Sequence, residues 1–338
     1  MPRFDLINQN EEQSKQEKWK LSKKSSITSD ILNKKGKIIN GQVISIIGKN
    51  YKVQLEDNNI IECRRAGKIT SSHNESQLIA TGDNVQIEIS EKSFDLSTIV
   101  KVEERITHLS RNSIYGDKED IIAANADKLL IIVAAAEPFF NRRLVDRMLI
   151  SADIGGLESA ICINKIDLMP LDFLQNEFKI YESLGKKVFY ISVNDNINIT
   201  EIQDFTQGNI TIFSGQSGVG KSSLLNVLYG EHIQRIFQIS NRSGKGQHTT
   251  SNATLIKLNE KSAIIDTPGI REFGLWGIEP QELALMFDDF EGYRENCKFI
   301  HCTHIHEPKC AVIEAVEEGK IDVQRYQSYL NIFDSLKK

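Results

Sequence analysis

The 338-residue sequence has no apolar run approaching the ~20 residues that a membrane-spanning helix requires. Its first stretch, Met1 to Lys24, is polar and charged and lacks the apolar segment of a secretory signal. A cytosolic protein without a membrane partner is therefore expected. There is no surplus of positive charge: 41 Lys and Arg stand against 46 Asp and Glu, a net charge of −5. The sum does not mark a nucleic-acid binder, although a local basic patch is compatible with it. Cysteine is scarce, with five residues, yet three of them fall between Cys297 and Cys310 beside histidines. In a reducing compartment that clustering favours a metal site over disulfides. No internal repeat is visible.

What is present divides the chain into four parts. Residues 1–35 are rich in Lys, Glu, Gln and Ser and read as a mobile basic and polar tail. Residues 36–105 carry short β-branched alternating runs, such as Gly41–Ile47, Tyr51–Leu55 and Asp83–Ile89, separated by turn signals at Gly48, Asp57 and Gly82. About five short strands in this span suggest a small barrel, for which an oligonucleotide-binding (OB) fold is a candidate. From 106 to 274 apolar strands alternate with helical stretches, the pattern of a doubly wound α/β domain. Strands are expected at Lys128–Ala134, Ser159–Ile163, Val188–Ile191, Ile210–Phe213 and Ala263–Ile265, with helices at Arg142–Ala152 and Leu171–Leu184. Residues 275–338 read as helical around the Cys/His cluster.

The motif with the most chemical content is Gly215-Gln216-Ser217-Gly218-Val219-Gly220-Lys221-Ser222, a complete GxxxxGK[ST] between an apolar strand and a helical run opening at Ser223. Backbone N–H groups of such a loop wrap a polyphosphate, and the helix N-terminus adds a favourable dipole. Lys221 then reaches the outer phosphates and Ser222 ligates Mg²⁺. Asp266-Thr267-Pro268-Gly269 follows the strand Ala263–Ile265; alone it is an ordinary turn. Beside a phosphate loop, Asp266 can hold Mg²⁺ through water and Gly269 can offer its N–H to the γ-phosphate.

Asn164-Lys165-Ile166-Asp167 follows another strand. A carboxylate at Asp167 accepting from guanine N1 and the 2-amino group selects guanine over adenine, because adenine would leave that acceptor unpaired. This opposes an ATP-dependent kinase or transporter subunit. Ser192-Val193, after a third strand, would support the base. The base motif here precedes the phosphate loop, the reverse of the order in Ras-like GTPases. A parallel sheet gathers its ligand loops at the strand carboxyl ends whatever the chain order, so the site survives permutation.

Gly244-Lys-Gly-Gln-His248-Thr249-Thr250 lies between the phosphate loop and Asp266, where a switch segment must supply a Thr to Mg²⁺ and the γ-phosphate. Thr249 and Thr250 both qualify. Cys297-x4-Cys302-x-His304-x5-Cys310 offers three thiolates and an imidazole, a set suited to tetrahedral zinc, with His301 and His306 as competing ligands.

In this order the motifs resemble the RsgA/YjeQ family of circularly permuted GTPases that depend on the small ribosomal subunit. Ala124-Asn-Ala-Asp127, Glu137-Pro-Phe-Phe-Asn141, Asp266 to Trp276 and Cys297 to Cys310 carry the likeness further. The resemblance implies an α/β P-loop GTPase domain flanked by an N-terminal OB barrel and a small C-terminal helical zinc domain. It implies hydrolysis of GTP to GDP and phosphate in late small-subunit maturation, with ribosomal RNA contacted by the barrel. The zinc ligands become Cys297, Cys302, His304 and Cys310, which leaves out His301 and His306. Arg64-Arg-Ala-Gly-Lys-Ile matches the family only loosely, and Lys309 stands where the family often has Gly. Ile270 occupies the position of the water-orienting Gln of Ras-like enzymes, so slow intrinsic turnover is expected, with His248 as the substitute. A monomer is expected. An RNA-binding assembly chaperone in which nucleotide only sets affinity is the alternative.

Overall fold

The computed structural model describes residues 36–70, 79–90, 96–113, 118–230, 253–270 and 273–337. Five strands open the fold: β1 (Ile38–Ile47), β2 (Asn50–Leu55), β3 (Ile60–Thr70), β4 (Asn84–Glu88) and β5 (Ser97–Val102). Their alternation turns Val43, Val53, Ile61, Cys63, Val85, Ile87 and Ile99 into one buried core. They are ordered β1-β2-β3-β5-β4, and β4 pairs back onto β1 to close a barrel in which β3 and β5 run parallel. This closed barrel is of the OB kind that the alternating pattern suggested.

A two-stranded antiparallel ribbon, β6 (His108–Asn112) with β7 (Glu119–Ala124), precedes the α/β layer and was not foreseen from the sequence. The layer itself contains β8 (Lys128–Ala134), β9 (Glu158–Asn164), β10 (Lys187–Tyr190), β11 (Ile210–Gly215), β12 (Thr254–Lys257) and β13 (Ala263–Asp266). Its order is β10-β9-β8-β11-β13-β12, with β12 antiparallel to β13 and the other neighbours parallel. Successive residues of β8 alternate between two cores. Leu129, Ile131 and Val133 face α1 (Arg142–Ile154) and α2 (Leu171–Ser183); Leu130, Ile132 and Ala134 face α3 (Ile199–Thr206) and α4 (residues 221–230). Burial on both faces explains why the strands read as continuous apolar runs.

The barrel and the α/β layer share one eleven-stranded sheet, because β12 pairs with β1 through Ser45 and Thr254. A register shift in β1 between Val43 and Ser45 accompanies this double use of the strand. The junction is also stitched by Thr81, whose hydroxyl donates to the Ala253 carbonyl at 3.0 Å and whose own carbonyl accepts from Ala124 N at 2.9 Å.

The C-terminal part is less helical than expected. Three short 3₁₀ segments, Pro280–Met286, Asp288–Phe290 and Arg294–Asn296, precede α5 (Ala311–Glu317) and α6 (Val323–Leu336). Gly277 and Gly292, both at positive φ, and Pro280 at a helix start interrupt longer helices. This part buries a core of Leu283, Phe287, Phe290, Val312, Tyr329 and Ile332, which also includes Ile150 of α1. Asp146 of α1, fully buried, accepts from Arg325 of α6 and from the Tyr181 hydroxyl at 2.7 Å. Arg325 also donates to Asp289 at 3.2 Å and lies over the Phe287 ring at 4.3 Å. A charge pair this deep is costly to break, at about 3–5 kcal/mol for loss of one partner. The C-terminal part is thereby fixed to α1.

Candidate nucleotide-binding site and metal centre

The parallel strands deliver the four motifs to one edge of the sheet: residues 215–222 after β11, 164–167 after β9, 192–193 after β10 and 266–269 after β13. Asn164, 2% exposed, joins three of these loops. Its Nδ2 donates to the Val219 carbonyl at 2.9 Å, while its Oδ1 accepts from Lys165 N at 2.8 Å and Val193 N at 3.2 Å. Gly220 makes this approach possible: at φ +94°, a Cβ there would lie 2.3 Å from Asn164 Nδ2. Asp167 is exposed, and its Oδ1 accepts from the buried Ser192 hydroxyl at 2.6 Å. Ser192 in turn accepts from Asp195 N at 3.1 Å. The carboxylate is thus oriented while its other oxygen stays available.

The Asp266 motif is pinned onto the phosphate-loop strand. Thr267, buried, donates from both N and Oγ1 to the Phe213 carbonyl at 3.2 and 2.9 Å, and Ile270 N donates to the Gly215 carbonyl at 3.1 Å. Gly269 lies so close to the loop that a Cβ would come 2.9 Å from Ser217 Cα. Ile270 itself is buried in the core and presents no side chain to the site.

Lys221 curls under the loop, donating to the Gly215 and Gln216 carbonyls at 2.8 and 3.1 Å. Burial lowers its pKa, against the opposing pull of Asp266. Burial also pushes the Asp266 carboxyl up to about 6, with Lys221 opposing. Asp266 Oδ1 is buried without a hydrogen-bond partner among the described residues, which fits a carboxylate awaiting the water shell of a cation. Ser222 and Ser223 are exposed at the start of α4. His248, Thr249 and Thr250 lie outside the described residues.

A second cluster forms in the C-terminal part. The ligand atoms of Cys297, Cys302, His304 and Cys310 lie within 4.8 Å of one another, a donor set able to hold a metal. His304 Nδ1 is 3.3 Å from Cys310 Sγ and 3.5 Å from Cys297 Sγ. Burial lowers the His304 pKa toward the neutral form a ligand needs. His301 and His306 are exposed and stand outside the group. Lys309 has φ +60°, a left-handed conformation, which accounts for glycine being suited to that position. Glu307 shapes the loop by accepting from Thr303 N and Oγ1, Ile305 N and His306 N at 2.8, 2.6, 3.1 and 3.2 Å. Burial raises its pKa, but these bonds outweigh burial and hold the carboxyl well below the usual range.

A family model described as RsgA GTPase matches residues 102–276. The chain belongs to the RsgA GTPase family. Among RsgA relatives, the "Small ribosomal subunit biogenesis GTPase RsgA" of Chlorobaculum parvum is 38% identical over 305 residues, covering 88% of this chain and 98% of that protein. The protein of the same name from Flavobacterium johnsoniae is 35% identical over 300 residues, covering 87% and 92%. The crystal structure of YjeQ from Thermotoga maritima superposes with a TM-score of 0.65 at 29% identity, covering 88% of this chain and 98% of that one. That of YloQ, described as a circularly permuted GTPase, gives 0.62 at 28%, covering 89% and 95%. The permuted order of loops here accords with the description of YloQ as a circularly permuted GTPase.

Sequence reasoning noted Glu137-Pro138-Phe139-Phe140-Asn141 only as part of the RsgA resemblance. The structure places this segment between the loops: Lys165 Nζ donates to the Glu137 carbonyl, and Pro138 Cδ is 3.5 Å from where a Cβ on Gly218 would sit. No local chemistry in those letters indicated the contact. Glu307 was missed for the same reason.

The raised Asp266 pKa carries a stability signature. In protein free of nucleotide and Mg²⁺, the folded state binds this proton at about 6, against about 4 when unfolded. Its charged form therefore costs stability above pH 6, and that cost fades as pH falls toward 4. Asp266→Asn should stabilise the protein more at pH 7.5 than at pH 4, by up to about 2–3 kcal/mol. Urea unfolding of both forms at the two pH values measures this; an equal effect at both would refute it.

Proposed function

We propose that this chain hydrolyses GTP to GDP and phosphate, is stimulated by the small ribosomal subunit, and acts in that subunit's late maturation. The observation that carries the reading is the joining of the phosphate-loop and base motifs by Asn164, with the Asp266 motif pinned beside the phosphate loop, in permuted order, within a chain of the RsgA GTPase family. Relatives bearing the name of a small ribosomal subunit biogenesis GTPase supply the client.

In this reading GTP lies along Gly215 to Ser223, whose backbone N–H groups cradle the phosphates. Lys221 exchanges its two carbonyl partners for phosphate oxygens, a cation already freed from water by burial. Asp167 reads guanine, with Asn164, Lys165, Ile166, Ser192 and Val193 holding the loop. Gly269 donates its N–H to the γ-phosphate. Ser222, Asp266 and either Thr249 or Thr250 would hold Mg²⁺, which supplies positive charge to the phosphate oxygens when bound. The unpartnered Asp266 Oδ1 supports that assignment. Because Ile270 is buried and apolar, His248 is the residue we assign to orient the attacking water. The barrel, residues 36–105, contacts ribosomal RNA; Arg64 and Arg65 of β3 are exposed there. Residues 106–274 form the GTPase domain and residues 275–338 a domain built on structural zinc at Cys297, Cys302, His304 and Cys310. The protein acts as a cytoplasmic monomer.

GTP turnover with and without purified small ribosomal subunits tests the central claim, and stimulation is expected. His248→Ala should keep GTP affinity and subunit binding but lose roughly 10²-fold or more of stimulated turnover. Full stimulation in that variant would remove His248 from the mechanism.

Guanine selection is checked by Asp167→Asn, which should weaken GTP binding and improve xanthosine triphosphate, whose C2 carbonyl accepts rather than donates. Each misplaced polar pair costs about 1–3 kcal/mol. Unchanged GTP preference in competition would reject the role of Asp167.

For the metal, elemental analysis of protein purified without chelator should find one zinc per chain. Cys302→Ala should lose the zinc and open residues 275–338 to protease. A zinc-free wild type with an intact C-terminal core would disprove the assignment.

A further inference from the structure

Arg147 on α1 touches two parts of the molecule that the chain order keeps far apart. Its Nη1 donates to the Phe273 carbonyl at 3.0 Å, and its Nη2 donates to Ser335 Oγ at 2.6 Å. Phe273 lies four residues beyond Gly269, is fully buried, and shares a core with Ile265, Ile270 and Met148. The next carbonyl, of Gly274, accepts from Asn112 N of β6 at 2.8 Å. Ser335 lies in the last turn of α6 and passes the contact on, donating to the Ile332 carbonyl at 2.6 Å. We propose that Arg147 is a positioning residue that transmits the position of the segment after Asp266 to helix α6, and so sets how nucleotide state alters the C-terminal surface offered to the small subunit.

The argument against a plain structural tether rests on the neighbouring residue. Asp146 already fixes α6 through the buried Arg325, with Tyr181 and Asp289 completing the network. Docking of α6 therefore does not require Arg147, which is only half-buried. The Arg147 fork instead connects a backbone carbonyl near the γ-phosphate-sensing glycine to a side chain on the docked helix. A guanidinium can hold both partners at once in fixed geometry, whereas a lysine ammonium on a flexible stem cannot hold the same fork. A shift of Phe273 on γ-phosphate loss changes the first bond and, through the rigid guanidinium, the second.

This inference rests on the GTPase reading above, and the experiment separates the two. Affinity of full-length protein for purified small ribosomal subunits is measured with a non-hydrolysable GTP analogue and with GDP, alongside GDP affinity and thermal midpoint. Subunit-stimulated GTP turnover is measured on the same wild-type preparation, and its absence sinks the underlying reading; a wild-type GTP-to-GDP affinity ratio of one with stimulated turnover intact overturns this proposal alone. Arg147→Ala should bring that ratio toward one by at least about fivefold, the low end of typical coupling, with GDP affinity within about twofold. Arg147→Lys should rescue it only in part, and Ser335→Ala should shift it in the same direction as Arg147→Ala. An unchanged ratio in Arg147→Ala overturns the proposal. So does a lower thermal midpoint accompanied by equal loss of subunit affinity in both nucleotide states, the pattern of a purely structural role. Should Arg147→Ala not fold, Ser335→Ala decides by the same criteria.

Discussion

One buried amide sets the geometry on which the nucleotide site depends. Asn164 closes hydrogen bonds to the phosphate loop, to its own loop and to the loop after β10. Its side chain uses both ends, donor to Val219 and acceptor from Lys165 and Val193, so neither Asp nor Leu could replace it without orphaning a buried backbone group. Loops at the end of a parallel sheet are fixed individually by their strands, but their spacing across the sheet is not. Asn164 ties three of the loops together through its side chain. Nothing in it depends on which loop comes first in the chain, and this is the physical reason a permuted order can build the same site.

The same independence from chain order shows at the edge of the sheet. In the α/β layer β12 is an edge strand, with unpaired backbone groups on its outer side. Here β1 of the barrel covers it at Ser45–Thr254, and Thr81 bonds the Ala253 carbonyl beside it. Ala253, the first described residue after the stretch bearing His248, Thr249 and Thr250, is itself held by the barrel. The exit of the Asp266 segment is held at Phe273 and Gly274, by α1 and β6. The barrel therefore holds Ala253, and α1 and β6 hold Phe273 and Gly274.

Much of this was legible in the letters because the strands of the α/β layer are buried on both faces. Lys128–Ala134 reads as a strand over the same bounds the structure gives, and the glycine-rich loop and the Asp266 motif follow strands as their chemistry requires. The Cys/His spacing alone left three histidines open and the family resemblance singled out His304; the fold buries His304 against the thiols and leaves His301 and His306 exposed. Other features left no local signal. The ribbon of β6 and β7 is short and mixed in polarity, and β12 is four residues long. The Asp146–Arg325 pair joins residues 179 positions apart, and no periodicity in either helix distinguishes a buried charge from a solvated one. Glu137 contributes a backbone carbonyl, which no side-chain pattern encodes.

Magnitudes decide where a nucleotide-driven change can travel. Coupling between sites in proteins is typically about 1–3 kcal/mol. Separating Arg325 from Asp146 would cost about 3–5 kcal/mol, more than such coupling supplies, so this anchor at Arg325 is not the contact that such coupling can switch. Single hydrogen bonds to backbone carbonyls lie lower, at about 0.5–1.5 kcal/mol, or about 1.5–3 kcal/mol when the donor is charged. The Asn112–Gly274 and Arg147–Phe273 bonds fall in that range. In the proposed coupling these are the contacts that change with nucleotide state. The permutation places them just beyond Gly269 in the chain, where the proposed coupling reaches α6 through the single guanidinium of Arg147.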